Sequence, residues 1–285
     1  MTEAPVRLGA RYATPSRWQV ATLVDAWEES PSARTLVLEI PAWPGHLAGQ
    51  HVDLRLTAPD GYTAERSYSI GSAATRAPVR DGDAADGVSA VATDGVHDGA
   101  SSPARVEVTV QRVPGGEVST YLTDAFAVGD AIELRGPVGG WFVWSPERDA
   151  GTPVLLAAGG SGLVPLMAML RTRRDAGDRT PFRLVYSVRR PEDRLYVADL
   201  DRLAAAHDGL DTQVVYTRSV PLGSMRGPGR LERRDLAAWG WPAEIEPACF
   251  VCGPTGFVEA VARQLVSLGH DPARVKTERF GPAAD

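Results

Sequence analysis

The first half of the chain consists of short runs in which β-branched apolar residues are interspersed with polar ones. The runs are separated by Pro, Gly and Asp, which is typical of strands joined by turns. They cover residues 18–25, 35–40, 52–56, 106–111 and 131–135. Strands at this spacing predict an antiparallel barrel or sandwich.

From about Pro153 the pattern changes to continuous apolar runs, each followed by a polar turn or by residues at helical spacing. Continuous runs predict strands buried on both faces, and their alternation with helices predicts a parallel sheet with right-handed crossovers. The predicted strands cover residues 154–158, 182–187, 211–217 and 249–252. Three segments have apolar residues at helical spacing: Leu163, Leu166, Met167 and Leu170; residues within 195–206; and Phe257, Val261 and Leu265.

The change of pattern divides the chain into two domains. At 285 residues the chain is longer than one typical hydrophobic core supports. The polar, proline-bounded stretch 146–153 marks the boundary, so we expect a β-barrel over residues 1–148 and a Rossmann-like α/β domain over 149–285. Residues 75–103 are rich in Ala, Gly, Asp and Ser, which predicts a mobile insertion between two barrel strands.

Composition narrows the class of protein. The chain is 44% apolar and 23% charged, as expected of a soluble enzyme, and its net charge of −6 argues against a nucleic-acid-binding surface. Two cysteines form no disulfide framework, which favours a reducing, cytoplasmic compartment. The first 18 residues lack the apolar segment of a secretory signal.

One stretch resembles a membrane span. Residues 151–170 contain no charged side chain and are about long enough to cross a bilayer. Glycines at 159, 160 and 162 interrupt the stretch, which instead favours a buried strand, a turn and a helix. We therefore expect no membrane span.

Unusual residues follow the predicted strands of the second half, where ligands of open α/β sheets bind. Gly159, Gly160, Ser161 and Gly162, with Pro165 in the next helix, form a turn that would let backbone N–H groups approach a pyrophosphate. Such a turn also serves simply to join a strand to a helix. Arg189 and Arg218 each follow a strand, where a solvated strand end is the alternative.

The segment Cys252-Gly253-Pro254 ends the fourth predicted strand of the second half. Cys249 and Cys252 have C-x-x-C spacing, but on a strand they point to opposite faces. A redox pair or a metal site is therefore not expected.

Two clusters stand out in the first half. Arg66, Ser67, Tyr68 and Ser69 combine a cation, an aromatic ring and two hydroxyls in one short strand, although an ordinary edge strand is the alternative. A second glycine turn, Gly115 and Gly116 with Glu117, Val118 and Ser119, begins a short helical pattern and could present N–H groups to a phosphate.

Taken in order, these motifs resemble the ferredoxin–NADP reductase superfamily over nearly the whole chain. The segment 66–69 resembles its R-x-Y-S/T flavin motif and 115–119 its second flavin-phosphate motif. The turn Gly136-Pro137-Val138-Gly139-Gly140-Trp141 resembles the one that closes the flavin domain, 159–165 the nicotinamide-pyrophosphate loop, and 252–254 the C-G-P motif. The resemblance implies an FAD-binding antiparallel barrel followed by an NAD(P)-binding domain.

The resemblance also implies residue roles. Arg66 would neutralise the flavin pyrophosphate, Tyr68 would stack on the isoalloxazine ring, and Ser69 would hydrogen-bond near flavin N5. Cys252 would line the hydride-transfer site. Glu278-Arg279-Phe280 is similar to the family's carboxylate-x-aromatic ending, so Phe280 would cover the flavin and Glu278 would take part in proton transfer; a plain surface tail is the alternative.

The preferred nicotinamide cofactor is NADPH, with NADH as the alternative. Thr217 and Arg218 lie where the family places a hydroxyl–arginine pair for the 2′-phosphate, and Arg226 follows as a second cation. No acidic residue replaces Arg218 to hold a free ribose hydroxyl.

The electron acceptor is expected to be a separate molecule. The chain lacks the four cysteines, in C-x4-C-x2-C…C spacing, of the plant-type [2Fe–2S] domain found in many members of the superfamily. A ferredoxin or an oxygenase component is preferred; the alternatives are a flavin, ferric or quinone reductase and a non-catalytic electron-transfer subunit. Arg171, Arg173 and Arg174 are expected to cap the C-terminus of a helix, and steering of an acidic ferredoxin is the alternative.

Overall fold

The computed structural model describes residues 17–58, 60–75 and 103–281. These residues form a six-stranded antiparallel sheet and a five-stranded parallel sheet, in this order along the chain. The prediction of a barrel followed by an α/β domain is confirmed. The insertion predicted at 75–103 lies outside the described residues except at its two ends.

The antiparallel sheet is closed into a barrel. Its strand order is β4-β3-β6-β1-β2-β5, and a bridge between Ile70 and Val108 joins the two edge strands. Buried apolar residues of β1, β2, β3, β5 and β6 fill the interior, and Val118 and Leu122 of helix α1 cover it. Strand β4 adds only the half-buried Ala64 and Tyr68. The elements are β1 (Gln19–Ser30), β2 (Ala33–Ile40), β3 (His51–Thr57), β4 (Thr63–Ser69), β5 (Ala104–Gln111), α1 (Glu117–Asp124) and β6 (Ala131–Val138).

The parallel sheet has the strand order β11-β10-β7-β8-β9 and a separate hydrophobic core on each face. Strand β7 is buried along its full length, as its continuous apolar run predicts. The elements are α2 (Pro146–Asp149), β7 (Val154–Gly159), α3 (Leu163–Asp175), β8 (Phe182–Val188), α4 (Val197–Ala205), β9 (Leu210–Tyr216), α5 (Arg233–Trp239), β10 (Ala248–Pro254), α6 (Thr255–Ser267) and β11 (Val275–Phe280).

Residues 151–170 form the predicted strand, glycine turn and helix, namely β7, a 3-10 turn and the first part of α3. No helix in the described part of the chain combines the length and the apolar character that crossing a membrane requires. The domain boundary at 148/149 stays a prediction and falls within α2.

Two expectations about the second domain have clear outcomes. Cys249 and Cys252 lie in the cores on opposite faces of the sheet, as strand alternation predicts. The alternative of a plain surface tail for residues 278–280 is wrong, because they belong to strand β11, which pairs in parallel with β10. This pairing places Glu278 beside Cys252 and Phe280 beside Pro254.

Candidate active site

The carboxyl ends of β10 and β11 meet the barrel beside the start of β3. In the barrel, Ser69 of β4 pairs with His51 of β3, and in the parallel sheet Cys252 pairs with Glu278. The two pairs are joined across the domain interface, where His51 Nδ1 lies 3.7 Å from Glu278 Oε1. Three of the four predicted catalytic residues, Ser69, Cys252 and Glu278, are therefore grouped around a histidine that the sequence analysis did not single out.

Burial shifts the pKa values of Glu278, His51 and Cys252 in the directions that favour their neutral forms. Desolvation raises the pKa of Glu278 to about 7, and it lowers the pKa of His51 despite the nearby charge of Asp53. Burial, and then the charge of Glu278, raise the pKa of the Cys252 thiol well above its ordinary value. Cys252 is therefore a protonated thiol at neutral pH, while Glu278 can gain or lose a proton there.

Glu278 also has an oxygen with no partner. Its Oε2 is buried and accepts no hydrogen bond from any group that the structure describes. A buried carboxyl oxygen without a donor is costly, and such groups cluster where a ligand or a proton relay completes the arrangement. This observation fits a ligand seated beside Glu278.

The glycine turn after β7 packs directly on the end of β10. A side chain at Gly162 would place its Cβ 2.1 Å from the Cys252 carbonyl oxygen, and one at Gly253 would approach the Gly159 carbonyl to 3.0 Å. Gly160 has φ +56°, a left-handed conformation that favours glycine. The turn therefore depends on its glycines to bring β7, β10 and α3 together.

Helix α3 starts directly after this turn. Its N-cap is Gly162, which provides no side-chain cap, and Pro165 lies in the first turn of the helix. The positive end of the dipole of this 13-residue helix lies at the glycine turn, so the first N–H groups of the helix form a favourable site for a phosphate. Ser161 is half-buried within the turn.

The side chains of residues 66–69, predicted to bind a flavin, alternate between the two faces of β4. The Ser67 hydroxyl donates to Asp53 at 2.6 Å, and Arg135 donates to the same carboxylate at 2.7 Å. Burial alone would raise the pKa of Asp53, but the bonds from Ser67 and Arg135 lower it. Ser67 thus anchors its own strand.

Arg66 and Tyr68 remain available on the other side of β4. Among the described residues, the Arg66 guanidinium donates only to the neighbouring Glu65 carbonyl, at 2.6 Å, and it is exposed. Tyr68 packs partly against the barrel core, where burial raises the pKa of its hydroxyl to about 12. A cation without a carboxylate beside a neutral aromatic ring fits an anionic, planar ligand.

The second glycine turn precedes α1. Gly115 has φ +74° with open space where a Cβ would lie, and Gly116 is the N-cap. Val118 points into the barrel core, and the Ser119 hydroxyl accepts from Val113 N at 3.1 Å and donates to the Gly116 carbonyl at 3.3 Å. The glycine backbone is therefore the accessible part of this motif, whereas Val118 and Ser119 shape the turn.

The predicted arginines of the nicotinamide side differ in their surroundings. Arg189 and Arg218 are exposed at adjacent strand ends, where Arg218 N donates to the Arg189 carbonyl at 2.9 Å. The Arg226 guanidinium instead bonds Asp235 at 2.8 Å and three backbone carbonyls of its own loop. Thr217 lies half-buried beside Arg218.

The alternative in which Arg171 and Arg173 steer a partner is wrong, because both side chains are buried. Arg173 bonds the Thr180 carbonyl at 2.7 Å and Asp208 at 3.0 Å, and Arg171 bonds acidic residues of both domains. Arg174 is exposed and paired with Asp175. Distant acidic residues stabilise the two buried cations, and the local sequence does not reveal them.

Two family models match the chain. The model of the oxidoreductase FAD-binding domain matches residues 96–143, and that of the oxidoreductase NAD-binding domain matches residues 156–263. The first match lies in the barrel half of the chain and the second in the parallel-sheet half. The assignment of the two domains to FAD and to a nicotinamide cofactor is therefore confirmed.

The chain is similar in sequence to a curated reductase subunit and in structure to a solved reductase. The glycine betaine monooxygenase reductase subunit of Pseudomonas aeruginosa is 30% identical over 237 residues, which is 82% of this chain and 56% of that protein. The chain thus spans about half the length of this relative. The crystal structure of a cytochrome P450 reductase from Amycolatopsis has a TM-score of 0.73 at 26% identity and covers 95% of this chain and 72% of that one.

A third similar structure matches this chain over nearly the full length of both chains. The flavohem-like FAD/NAD binding domain of nitric oxide dioxygenase from Vibrio cholerae has a TM-score of 0.72 at 25% identity, over 92% of this chain and 98% of that one. The arrangement of one domain beside the other is therefore shared with solved flavin- and nicotinamide-binding proteins.

Proposed function

Because the chain belongs to the ferredoxin–NADP reductase superfamily, we propose that it takes hydride from NADPH onto FAD and passes the electrons to a separate oxygenase component or ferredoxin. The contact between His51 and Glu278 carries this proposal. His51 pairs with Ser69 of β4, the strand proposed to hold the flavin, and Glu278 pairs with Cys252 at the end of β10. The contact therefore brings β4 close to the C-G-P segment of the nicotinamide domain. Two ring systems held on these two elements would meet there.

The barrel offers groups that suit FAD. Arg66 would hold the pyrophosphate by a charge-assisted contact, and Tyr68 would stack on the ring. The glycine backbone of 115 and 116 would face the second phosphate contact. The bound cofactor supplies the redox chemistry, since a flavin accepts a hydride and releases single electrons.

The nicotinamide domain offers groups that suit NADPH. The turn at Gly159–Gly162 and the start of α3 would hold the pyrophosphate of NADPH, with Gly253 and Pro254 at the neighbouring strand end. Cys252, a neutral thiol, would line the place of the nicotinamide ring. Its burial helps to exclude water from the reacting atoms.

Three further residues would act at the transfer point. Ser69 would donate or accept a hydrogen bond at the flavin edge, and Glu278 would hold the proton that its pKa of about 7 makes available. Phe280 is half-buried, packs against the core of the nicotinamide domain and would shield the flavin face.

The preference for NADPH rests on the exposed cation at the end of β9. In the described residues Arg218 has no carboxylate partner, so its planar guanidinium is available to a 2′-phosphate. Thr217 adds a hydroxyl beside it, and Arg189 a second exposed cation. Arg226 would contribute only by giving up its bond with Asp235.

The acceptor is proposed to lie outside these 285 residues. The sequence contains two cysteines, both buried in the cores, so it has no set of four thiolates for an iron–sulfur cluster. The relatives named above include a reductase subunit of a monooxygenase and a cytochrome P450 reductase, which favours an oxygenase component or its ferredoxin. Free cysteines also favour a cytoplasmic location.

An electron-transfer assay tests the proposal. The protein reconstituted with FAD should reduce cytochrome c with NADPH, and adding an iron–sulfur ferredoxin should accelerate the reduction. If NADPH reduces the flavin but no ferredoxin accelerates electron transfer, a diffusible acceptor replaces the protein acceptor. If NADPH and NADH both fail to reduce the flavin, the proposed reductase activity is wrong.

A further inference from the structure

The barrel strand β5 presents two different faces. Val106, Val108 and Val110 point into the barrel core, whereas Glu107 and Thr109 point outward to the nicotinamide domain. Polar outward residues usually contact solvent, yet Thr109 is buried. The second domain covers this face of the barrel with polar groups of its own.

Arg171 is the first of these groups. It lies on α3 and donates to the Gly71 carbonyl at 2.8 Å and to Glu107 Oε2 at 2.6 Å, both in the barrel half. It also donates to Asp199 of α4 in its own domain. A buried cation between two carboxylates fixes its neighbours firmly, because moving any of them leaves a buried charge unpaired.

Tyr196 is the second group. Its backbone is left-handed, with φ +52° at the N-cap of α4, a conformation that a non-glycine residue keeps only where its surroundings hold it. Two barrel groups do so: the Tyr196 amide donates to Glu29 Oε2 at 2.9 Å, and its hydroxyl is hydrogen-bonded to Thr109. Glu29 and Thr109 are further joined through Thr35.

Both groups connect to the elements of the reaction site. Gly71 comes two residues after Ser69, and a Cβ there would lie 2.9 Å from the Tyr196 hydroxyl. Helix α3, which carries Arg171, begins at the glycine turn after β7, so Arg171 lies about 12 Å along the helix from the phosphate-facing end. The two residues thus join the flavin strand to the nucleotide-binding helix.

From these contacts we propose that Arg171 and Tyr196 are positioning residues that clamp the two domains at the angle needed for hydride transfer. The inference rests on the proposed function. Interfaces between domains of one chain allow relative motion by default, and a misplacement of about 1 Å can slow a reaction about 100-fold. The clamp holds the spacing between the two rings without contacting either of them.

Two variants and a matched control test the clamp in the FAD-loaded full chain. Tyr196→Phe removes the hydroxyl bond to Thr109 and is the milder change; Arg171→Met removes the bridge to Glu107 and Gly71. Arg173→Met is the control, because Arg173 is also a buried arginine on the same helix, and its partners all lie in its own domain. The variants are compared at temperatures where circular dichroism shows each one folded.

The first measurement is steady-state reduction of cytochrome c by NADPH, together with absorbance spectra of anaerobic mixtures of each protein with NADPH. Tyr196→Phe and Arg171→Met should lower kcat about tenfold or more while KM stays within about twofold, and they should weaken the long-wavelength charge-transfer absorbance between stacked rings. Arg173→Met should keep the wild-type kcat and absorbance. Equal losses in Arg171→Met and Arg173→Met, or none in Tyr196→Phe, would overturn the proposal.

The second measurement does not depend on activity. Spin labels at Val128→Cys on the barrel and Val266→Cys on α6 occupy exposed positions, and the native cysteines are buried. Electron–electron double resonance should give a broader distance distribution in Tyr196→Phe and Arg171→Met than in wild type and Arg173→Met. Distance distributions of unchanged width would contradict the clamp, whether or not NADPH reduces the flavin. A wild-type flavin that NADPH does not reduce would refute the proposed function but not the clamp.

Discussion

Glu278 at the edge of the parallel sheet lies against His51 of the barrel, with 3.7 Å between Oε1 and Nδ1. The two residues are far apart in sequence and belong to different domains. Because His51 pairs with Ser69 and Glu278 pairs with Cys252, one contact joins the groups proposed to act on the flavin to those proposed to act on the nicotinamide.

The raised pKa of Glu278 predicts a pH-dependent stability. The folded protein keeps this proton up to a pKa of about 7, whereas the unfolded chain loses it near the ordinary value of 4.5. The folded state therefore binds more protons between these values, and its stability falls as pH rises through this window. The penalty above pH 7 is about 3 kcal/mol.

Glu278→Gln tests this dependence by urea unfolding at a series of pH values. The variant has no carboxyl to ionise, so its stability relative to wild type should increase from pH 4.5 to about pH 7 and then level off. A difference that stays constant over this range would show that Glu278 titrates normally.

Ser69 is predicted to affect the rate of hydride transfer more than cofactor binding. Its strand pairs with His51 at the domain contact, and the hydroxyl is proposed to reach the flavin edge. Ser69→Ala should slow anaerobic flavin reduction in stopped flow about tenfold or more, with FAD affinity nearly unchanged. Thr63→Ala, an exposed hydroxyl at the start of the same strand, is the control and should react at the wild-type rate.

Arg218 is predicted to recognise the 2′-phosphate. Arg218→Ala should raise the KM for NADPH about tenfold while the KM for NADH stays the same, because only NADPH carries the phosphate. Steady-state kinetics with both nucleotides make the comparison. A parallel change in the two KM values would remove Arg218 from this role.

Arg226 provides the contrast to Arg218. Its guanidinium bonds the buried Asp235, so Arg226→Ala leaves a carboxylate without its cation. The expected result is a loss of about 3 kcal/mol of stability in urea unfolding, with no discrimination between the two nucleotides. A selective loss of NADPH affinity in a stable variant would instead make it a phosphate ligand.

The glycine turn predicts a steric effect at one position. Gly162→Ala would place a Cβ 2.1 Å from the Cys252 carbonyl, so the turn must move away from β10. We expect a loss of about 1–3 kcal/mol and slower reduction by NADPH. Gly256→Ala, in open space near the start of α6, should be neutral or slightly stabilising. Thermal unfolding of the two variants and of wild type measures both effects.

Much of the fold follows from local patterns. The apolar run of β7 and the helical spacing after it predict a strand, a turn and a helix correctly, because every residue of β7 is buried. Strand β11 was missed, since Lys276, Glu278 and Arg279 make its sequence polar. Its strand conformation comes from pairing with β10 rather than from an alternating pattern.

Less of the candidate site than of the fold could be predicted from the sequence. Ser69 and Cys252 belong to recognisable motifs, whereas His51 gains its place from the register of β3 against β4 and from the approach of the second domain. Arg171 looked like a surface cation because its partner Glu107 is remote in sequence. Contacts between the domains follow from the tertiary arrangement, which no local pattern encodes.

A flavin on the barrel is proposed to meet a nicotinamide on the second domain, and anaerobic spectroscopy detects this encounter by the reduction of the flavin. The purified protein, reconstituted with FAD and freed of excess cofactor, is mixed with one equivalent of NADPH without oxygen. The bound flavin should lose its yellow absorbance. A protein that retains no FAD, or a bound flavin that stays yellow with NADPH and with NADH, would contradict it.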